Sequence, residues 1–298
     1  MNRETLRKIG LKKYLKNNII DTSAEVDKIC IDVGLSTEAP YSGMWLSNDP
    51  ERCVIGIEPL ELHWDGLNGK LDVGEVGTRW PTTRLNTNSI IFRNSKLSNI
   101  SNRFFGLTCA IDDVLKPEKR SFYHMHNPGS SSLLKPSELH TSSIKKVETV
   151  QCVSLQDILD YVDWEKFKFI EHVKIDCEGH ELSVIKSIGK YLKKIVFFTI
   201  EMSEFNQGHW EEQCDPVEIM HILCNNGFRC FKIDDGNSLW LNEKIARRNK
   251  TKWLGWIERQ GRPAVLIKDS DTSIIYYHDF IDEVDLSSHY VFTEEDRK

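Results

Sequence analysis

Five carboxylates in this chain stand at the ends of short apolar runs: Asp32 after Ile29-Cys30-Ile31, Glu58 after Val54-Ile55-Gly56-Ile57, Asp112 after the run 105–111, Asp176 after the run from Ile170, and Glu201 after the run 195–200. Apolar runs of this length, bounded by an acid or a glycine, read as buried strands. In an open α/β sheet the C-termini of parallel strands form one rim, and ligands bind in the crevice outside it. The five acids are therefore expected to face a common cleft. One carboxylate at a strand end often does no more than cap the next helix; five in one chain ask for another explanation.

The first loop on that rim, Asp32-Val33-Gly34-Leu35-Ser36-Thr37, tells against a dinucleotide. A pyrophosphate needs a G-x-G-x-x-G turn and a helix N-terminus, and this loop has only Gly34 to let the backbone approach a ligand. An acid before that glycine suits a partner with an ammonium or sulfonium group and no phosphate. S-adenosylmethionine is such a ligand, with Asp32, Gly34, Leu35 and Ser36 as its expected neighbours. Glu58 can take both ribose hydroxyls, at roughly 1.5–3 kcal/mol for each charge-assisted hydrogen bond. Read alone, Glu58-Pro59 is equally a strand terminus with a turn proline. Ala110, Ile111 and Asp112 then offer a backbone and carboxylate edge near the adenine.

The elements that must position these residues alternate in type. Strand-length runs at 28–34, 53–59, 105–111, 170–176 and 195–201 are interleaved with helical patterns at 154–162, 181–192 and 216–226, the last stopped by Gly227. Such alternation is the signature of a mostly parallel sheet covered on both faces, an α/β fold. The stretch 116–153 breaks the rhythm with two strand-like runs around a polar serine-rich loop and reads as a β insertion or lid. Upstream, 1–27 forms a helical segment whose basic residues surround Leu6, Ile9, Leu11 and Leu15, read as packed on the domain edge rather than anchored to a membrane. One domain over 28–298 is the expected count.

Composition narrows the partners. A net charge of -6 and a pI near 6.0 argue against a general nucleic-acid binder, which needs a basic face. No apolar run approaches the roughly 20 residues that cross a bilayer. Eight scattered cysteines without a CxxC pair read as reduced core residues, which points to the cytoplasm.

The sequence resembles the FkbM family of methyltransferases over about 28–231. The resemblance is carried by Ile31-Asp32-Val33-Gly34, Gly56-Ile57-Glu58-Pro59, Cys109-Ala110-Ile111-Asp112-Asp113, Ser130-Ser131-Ser132-Leu133 and Val150-Gln151-Cys152-Val153-Ser154-Leu155. Its most specific part is Val173-Lys174-Ile175-Asp176-Cys177-Glu178-Gly179-His180-Glu181, similar to the family's K-I-D-x-E-G-x-E signature. The loop after Asp32 departs from the more usual G-A-N-x-G. The resemblance implies a Rossmann-like methyltransferase sheet, S-adenosylmethionine as donor, and O-methylation, commonly of a sugar hydroxyl, so that a carbohydrate is the expected acceptor.

An aliphatic hydroxyl is a poor nucleophile at neutral pH, so a carboxylate or imidazole must lie within about 2.6–3.2 Å of it. The candidates are Asp176, Glu178, His180 and Glu201. The chain is expected to turn at Gly179, before the helix that begins at Glu181, with Asp176 and Glu178 facing the same way. That pair is the preferred base; His180 is its rival, or else simply begins a helix. Clustered oxygen ligands suit magnesium, but they do not demand it, and no metal is expected. Tyr123, His124, His126 and the serines 130–132 are candidates for an acceptor wall. Trp210, Trp253 and Trp256 could stack on sugar faces, although aromatics more often pack in cores. Three rival readings stand beside this one: methylation of a non-sugar hydroxyl, a nucleotide-dependent oxidoreductase, and a non-catalytic binding module on the same fold.

Overall fold

The computed structural model describes residues 1–37, 39–67, 102–202, 208–234, 237–248, 265–268 and 274–277. Helix α1 (Arg3–Lys8) is capped by Asn2, whose side chain accepts from the Thr5 amide. A 3-10 turn (Leu11–Tyr14) and the short hairpin β1 (Leu15–Lys16) and β2 (Ile19–Ile20) follow. Leu6, Ile9 and Leu11 are buried in the main core, while Thr108 N–H donates to Ile9 O. The basic segment is thus packed on the sheet through its apolar side.

The central sheet has seven strands in the order β11-β12-β10-β9-β3-β4-β5. Its parallel heart is β3 (Lys28–Val33), β4 (Arg52–Ile57), β5 (Phe104–Leu107), β9 (Ile170–Ile175) and β10 (Ile195–Glu201). Beyond β10, β12 (Asn237–Asn242) runs antiparallel to both β10 and β11 (Phe228–Asp234). Successive residues of a strand face opposite sides, and here both sides are covered. Ile29 and Ile31 of β3 with Cys53 and Ile55 of β4 enter the large core, whereas Cys30 and Val54 pack with Trp45, Leu46 and Leu67. The latter three belong to α2 (Pro40–Asn48) and α3 (Glu61–Leu67). On the large-core side lie α4 (Leu155–Leu159), α5 (Glu181–Ser187) and α6 (Pro216–Asn225). A further helix, α7 (Glu243–Arg248), follows β12, and β13 (Val265–Lys268) pairs antiparallel with β14 (Ile274–Tyr277). This is a Rossmann-like α/β sheet with helices on both faces. Among the described residues no helix is long and apolar enough to cross a membrane.

Several elements differ from the sequence pattern: the segment 1–27, expected to be helical, also carries the β1–β2 hairpin, and the helix expected over 154–162 ends at Leu159. The run 105–111 is two strands, because β5 ends at Leu107 and the chain passes to β6 (Ala110–Ile111) in a second sheet. That sheet, ordered β6-β8-β7, contains β7 (Glu118–Met125) and β8 (Ile144–Val153), the β insertion between strand and helix. The helix expected over 181–192 stops at Ser187. Gly189, at φ +55°, lies against the Gln156 side chain and the chain continues as a 3-10 helix, Gly189–Lys194. An apolar pattern continues through such a break, so periodicity alone does not reveal it.

Candidate active site

β3, β4, β9 and β10 are parallel, so Asp32, Glu58, Asp176 and Glu201 come to one rim. A cavity of about 370 Å³ opens there, within the usual size range of small-molecule sites. Gly34, Ser36, Glu58 and Pro59 line it from the β3 and β4 ends together with Ala110 and Ile111 of β6, and Asp176, Glu178, His180 and Glu201 from the β9 and β10 ends. Residues of the insertion, among them Phe122, Asn127, Ser130, Ser131 and Leu133, wall it above the rim.

At the β3 and β4 ends, Gly34 adopts φ +77°, and a Cβ there would sit 1.8 Å from the Asp176 carbonyl oxygen. Only glycine fits where the β3 and β9 loops cross. Glu58 is 5% exposed. Its Oε2 accepts from the Ser36 amide at 3.1 Å and its Oε1 from the Leu60 amide at 2.9 Å. Two amides hold this carboxylate at the cavity edge and leave lone pairs for hydroxyl donors. His63, which the sequence pattern does not single out, also lines the cavity and hydrogen-bonds Thr37 at 2.7 Å. Leu35 is fully buried with Trp45 and Phe104, off the cavity wall.

Asp32 stands behind that wall. It is 1% exposed, and its Oδ2 accepts from both the amide and the hydroxyl of Ser42, at 3.1 and 2.6 Å, in the first turn of α2. Its Oδ1 lies 3.7 Å from the Lys174 ammonium. Register explains the approach, because Asp32 and Lys174 are direct partners across β3 and β9. Lys174 also meets Asp176 at 3.1 Å and donates to Gly34 O at 2.7 Å. This buried lysine ties the two loops together. Its only sequence signal is the first position of the K-I-D run.

Pairing also places the acids at the β9 and β10 ends. Thr199 of β10 pairs with Lys174 and Ile200 with Ile175, which brings Glu201 level with Asp176. One oxygen each from Asp176, Glu178 and Glu201 lies within 4.8 Å of the others, close enough to hold a cation between them. Asp176 and Glu201 share a hydrogen bond. Burial, with Asp176 and Glu178 nearby, pushes the Glu201 carboxyl well above its ordinary range. Burial works in the same sense on Asp176, but Lys174 and the bond from Glu201 outweigh it and hold its pKa low. Glu201 is thus the proton donor of the pair and Asp176 the carboxylate. The chain turns at Glu178 and Gly179, with φ +54° and +91°, and both Asp176 and Glu178 line the cavity.

The profile of the methyltransferase FkbM domain matches residues 47–230. The chain belongs to the FkbM methyltransferase family. No curated protein and no solved structure matches it. The matched span of this FkbM chain takes in Glu58, Ala110, Ile111 and the whole 176–181 segment, while β3 with Asp32 and Gly34 precedes it.

Asp112 of the FkbM domain lies off the cavity wall. Its Oδ1 bonds His180 Nε2 at 2.9 Å and its other oxygen bonds Arg120 of β7. Burial opposes its ionisation, but His180 and Arg120 prevail and lower its pKa. An acid so engaged orients an imidazole rather than an adenine. His180 is the N-cap residue of α5 yet makes no side-chain cap bond, since its ring is turned to Asp112. Within the insertion, Ser130 and Ser131 line the cavity, whereas His124 bonds Glu148 at 2.9 Å and His126 is exposed. Trp210 is 3% exposed and packs against Gly179. Trp253 and Trp256 lie outside the described residues.

Proposed function

We propose that this FkbM chain transfers the methyl group of S-adenosylmethionine to a hydroxyl oxygen of a carbohydrate, in the cytoplasm. The carrying observation is one cavity lined both by the amide-held Glu58 and by the Asp176, Glu178 and Glu201 carboxyls. The residues present fit the donor. Glu58 is an acceptor suited to a ribose diol, and Ala110 and Ile111 are apolar neighbours for a base. Bound there, the donor supplies an electrophilic methyl carbon on a sulfonium that leaves readily. The excess of carboxylates over the single Lys174 charge favours that cation. A cytoplasmic setting agrees with eight cysteines that form no disulfide.

The protein's own task is to position the hydroxyl and remove its proton. The hydroxyl oxygen forms a bond to the methyl carbon as the carbon–sulfur bond breaks, and the electron pair stays on sulfur. The proton passes to a carboxylate of the Asp176–Glu178 pair. Asn127, Ser130 and Ser131 on the insertion wall are neutral hydrogen-bonding groups of the kind that suit a polyhydroxyl acceptor. A second assignment of the base has its own observation: Asp112 fixes the His180 ring at 2.9 Å, the arrangement that orients an imidazole for proton removal.

The test is incubation with labelled S-adenosylmethionine and a panel of free sugars, nucleotide sugars and oligosaccharides, with calorimetry for the demethylated product. Methyl ethers on sugar, formed also in the presence of a chelator, are expected. Label found only on polypeptide, RNA or a non-sugar metabolite would refute the acceptor assignment, and absent donor binding the whole reading.

A further inference from the structure

Glu178 stands at φ +54°, a backbone conformation that a non-glycine residue keeps only when its surroundings impose it. Three neighbours do so. From α5, Glu181 Oε1 accepts from the Cys177 amide at 3.0 Å and the Gly179 amide at 3.1 Å. These amides precede the N-cap His180, so they are not the unpaired donors of the helix itself. Ordinary capping does not account for the bonds; they close the 177–179 turn. From the insertion, the Ser132 hydroxyl lies 2.9 Å from Glu178 O and 3.3 Å from Cys177 O, and it donates to the nearer. Ser132 is rigid in its own right, bridged by backbone bonds to Tyr123 of β7 and 1% exposed. On the third side, Trp210 occupies the space that a Cβ at Gly179 would need, 2.8 Å away.

Resting on the methyl-transfer reading above, we propose that Glu181 and Ser132 are positioning residues that clamp the 177–179 turn from opposite sides and so hold Glu178 beside Asp176 in the cavity. Neither needs to touch the acceptor. Two residues of positive φ in succession turn the chain out of the extended path of β9 towards α5, and Glu178 keeps its place beside Asp176 only while that turn is held. Ser132 also makes the insertion part of the catalytic arrangement, because its hydroxyl is the direct polar link from that sheet to the turn.

The experiment combines hydrogen exchange of the 177–179 amides with turnover, on the full chain. Glu181→Ala is expected to speed exchange at Cys177 and Gly179 by about tenfold, the loss of a hydrogen bond of ordinary strength. In Glu181→Gln the amide oxygen still accepts from both, so exchange stays within about twofold of the wild type. Turnover of Glu181→Ala and Ser132→Ala should fall with affinity for S-adenosylhomocysteine retained, and in a Glu178→Gln background neither change should cost anything further. A merely structural role predicts equal losses in both backgrounds. If Glu181→Ala leaves exchange unchanged, or the losses multiply in the Glu178→Gln background, the inference is overturned. Should Glu181→Ala not fold, Ser132→Ala carries the test, since freeing the Glu178 carbonyl loosens the same turn. Failure of the methyl-transfer reading is separately visible as a wild type that does not bind S-adenosylhomocysteine, and the exchange arm still decides the clamp.

Discussion

At the scale of single residues, the rim acids divide by what already occupies their oxygens. Asp32 is committed to Ser42 and Lys174, and Asp112 to His180 and Arg120, while Glu58, Asp176, Glu178 and Glu201 line the cavity. Glu58→Ala should therefore weaken S-adenosylhomocysteine binding by roughly 10- to 100-fold, the worth of charge-assisted hydrogen bonds. Asp32→Ala should instead lower the melting temperature, by leaving the Ser42 amide and hydroxyl without their acceptor and removing one of the two carboxylates beside Lys174, with a smaller effect on affinity; calorimetry and thermal denaturation of both variants separate the two. Removal of the base is read in kinetics. Asp176→Asn and Glu178→Gln should each lower kcat and kcat/KM together by about 10²–10⁴-fold and leave donor affinity nearly intact. A His180→Ala variant that alone loses turnover to that degree would hand the role to the imidazole. The type and spacing of these residues are visible in the sequence; which oxygen of Asp32 or Asp112 is already taken is not. Those partners come from residues as distant as Ser42, Lys174, Arg120 and His180, and no local pattern links them.

At the scale of elements, the five parallel strands are legible because each is a short run buried on both faces, a pattern that survives in one dimension. The cavity's second wall is less so. β6 is only two residues long and continues an apolar run begun in β5, so the change of sheet at Thr108 and Cys109 leaves no mark on hydrophobicity. The crossing of the β3 and β9 loops is likewise a three-dimensional fact with a single-residue signature, Gly34. An added methyl there meets backbone, the Asp176 carbonyl at 1.8 Å, and φ +77° disfavours any side chain. Gly34→Ala should destabilise the protein by about 1–3 kcal/mol or more. Because the displaced atom belongs to Asp176, turnover should fall with it even in the molecules that remain folded. Thermal melting and turnover per folded molecule check the two halves; an alanine variant of wild-type stability would mean that the loops can separate without cost.

At the scale of the whole molecule, the carboxyls around the site fall into two groups with opposite effects on stability. Asp176 and Asp112 have lowered pKa values, owed to Lys174 for the first and to His180 and Arg120 for the second, against the pull of burial. A group lowered on folding stabilises above its unfolded pKa, near 3.8 here, and that contribution is lost as the pH falls through the folded value. Glu181 is the opposite case. Burial raises it from 4.5 to about 7, and its Oε2 has no hydrogen-bond partner among the described residues. A carboxyl raised on folding contributes its full stability below about 4.5 and loses it progressively as the pH climbs to about 7 and beyond. Glu201 is raised by the same cause and adds to this slope. The share of stability owed to Glu181 and Glu201 should therefore decline between about pH 5 and pH 8, while His172, lowered by burial from 6.5 to about 3, works in the opposite sense below about pH 6.5. At about 1.4 kcal/mol per pKa unit, the Glu181 share is on the order of 3 kcal/mol. Glu181→Gln removes the titration but keeps an oxygen for the Cys177 and Gly179 amides. Its melting temperature, whatever its absolute value, should fall less, or rise more, over that interval than the wild type's. Parallel slopes for the two proteins would show that Glu181 keeps the same charge throughout, and that the decline belongs to Glu201 and the other buried acids.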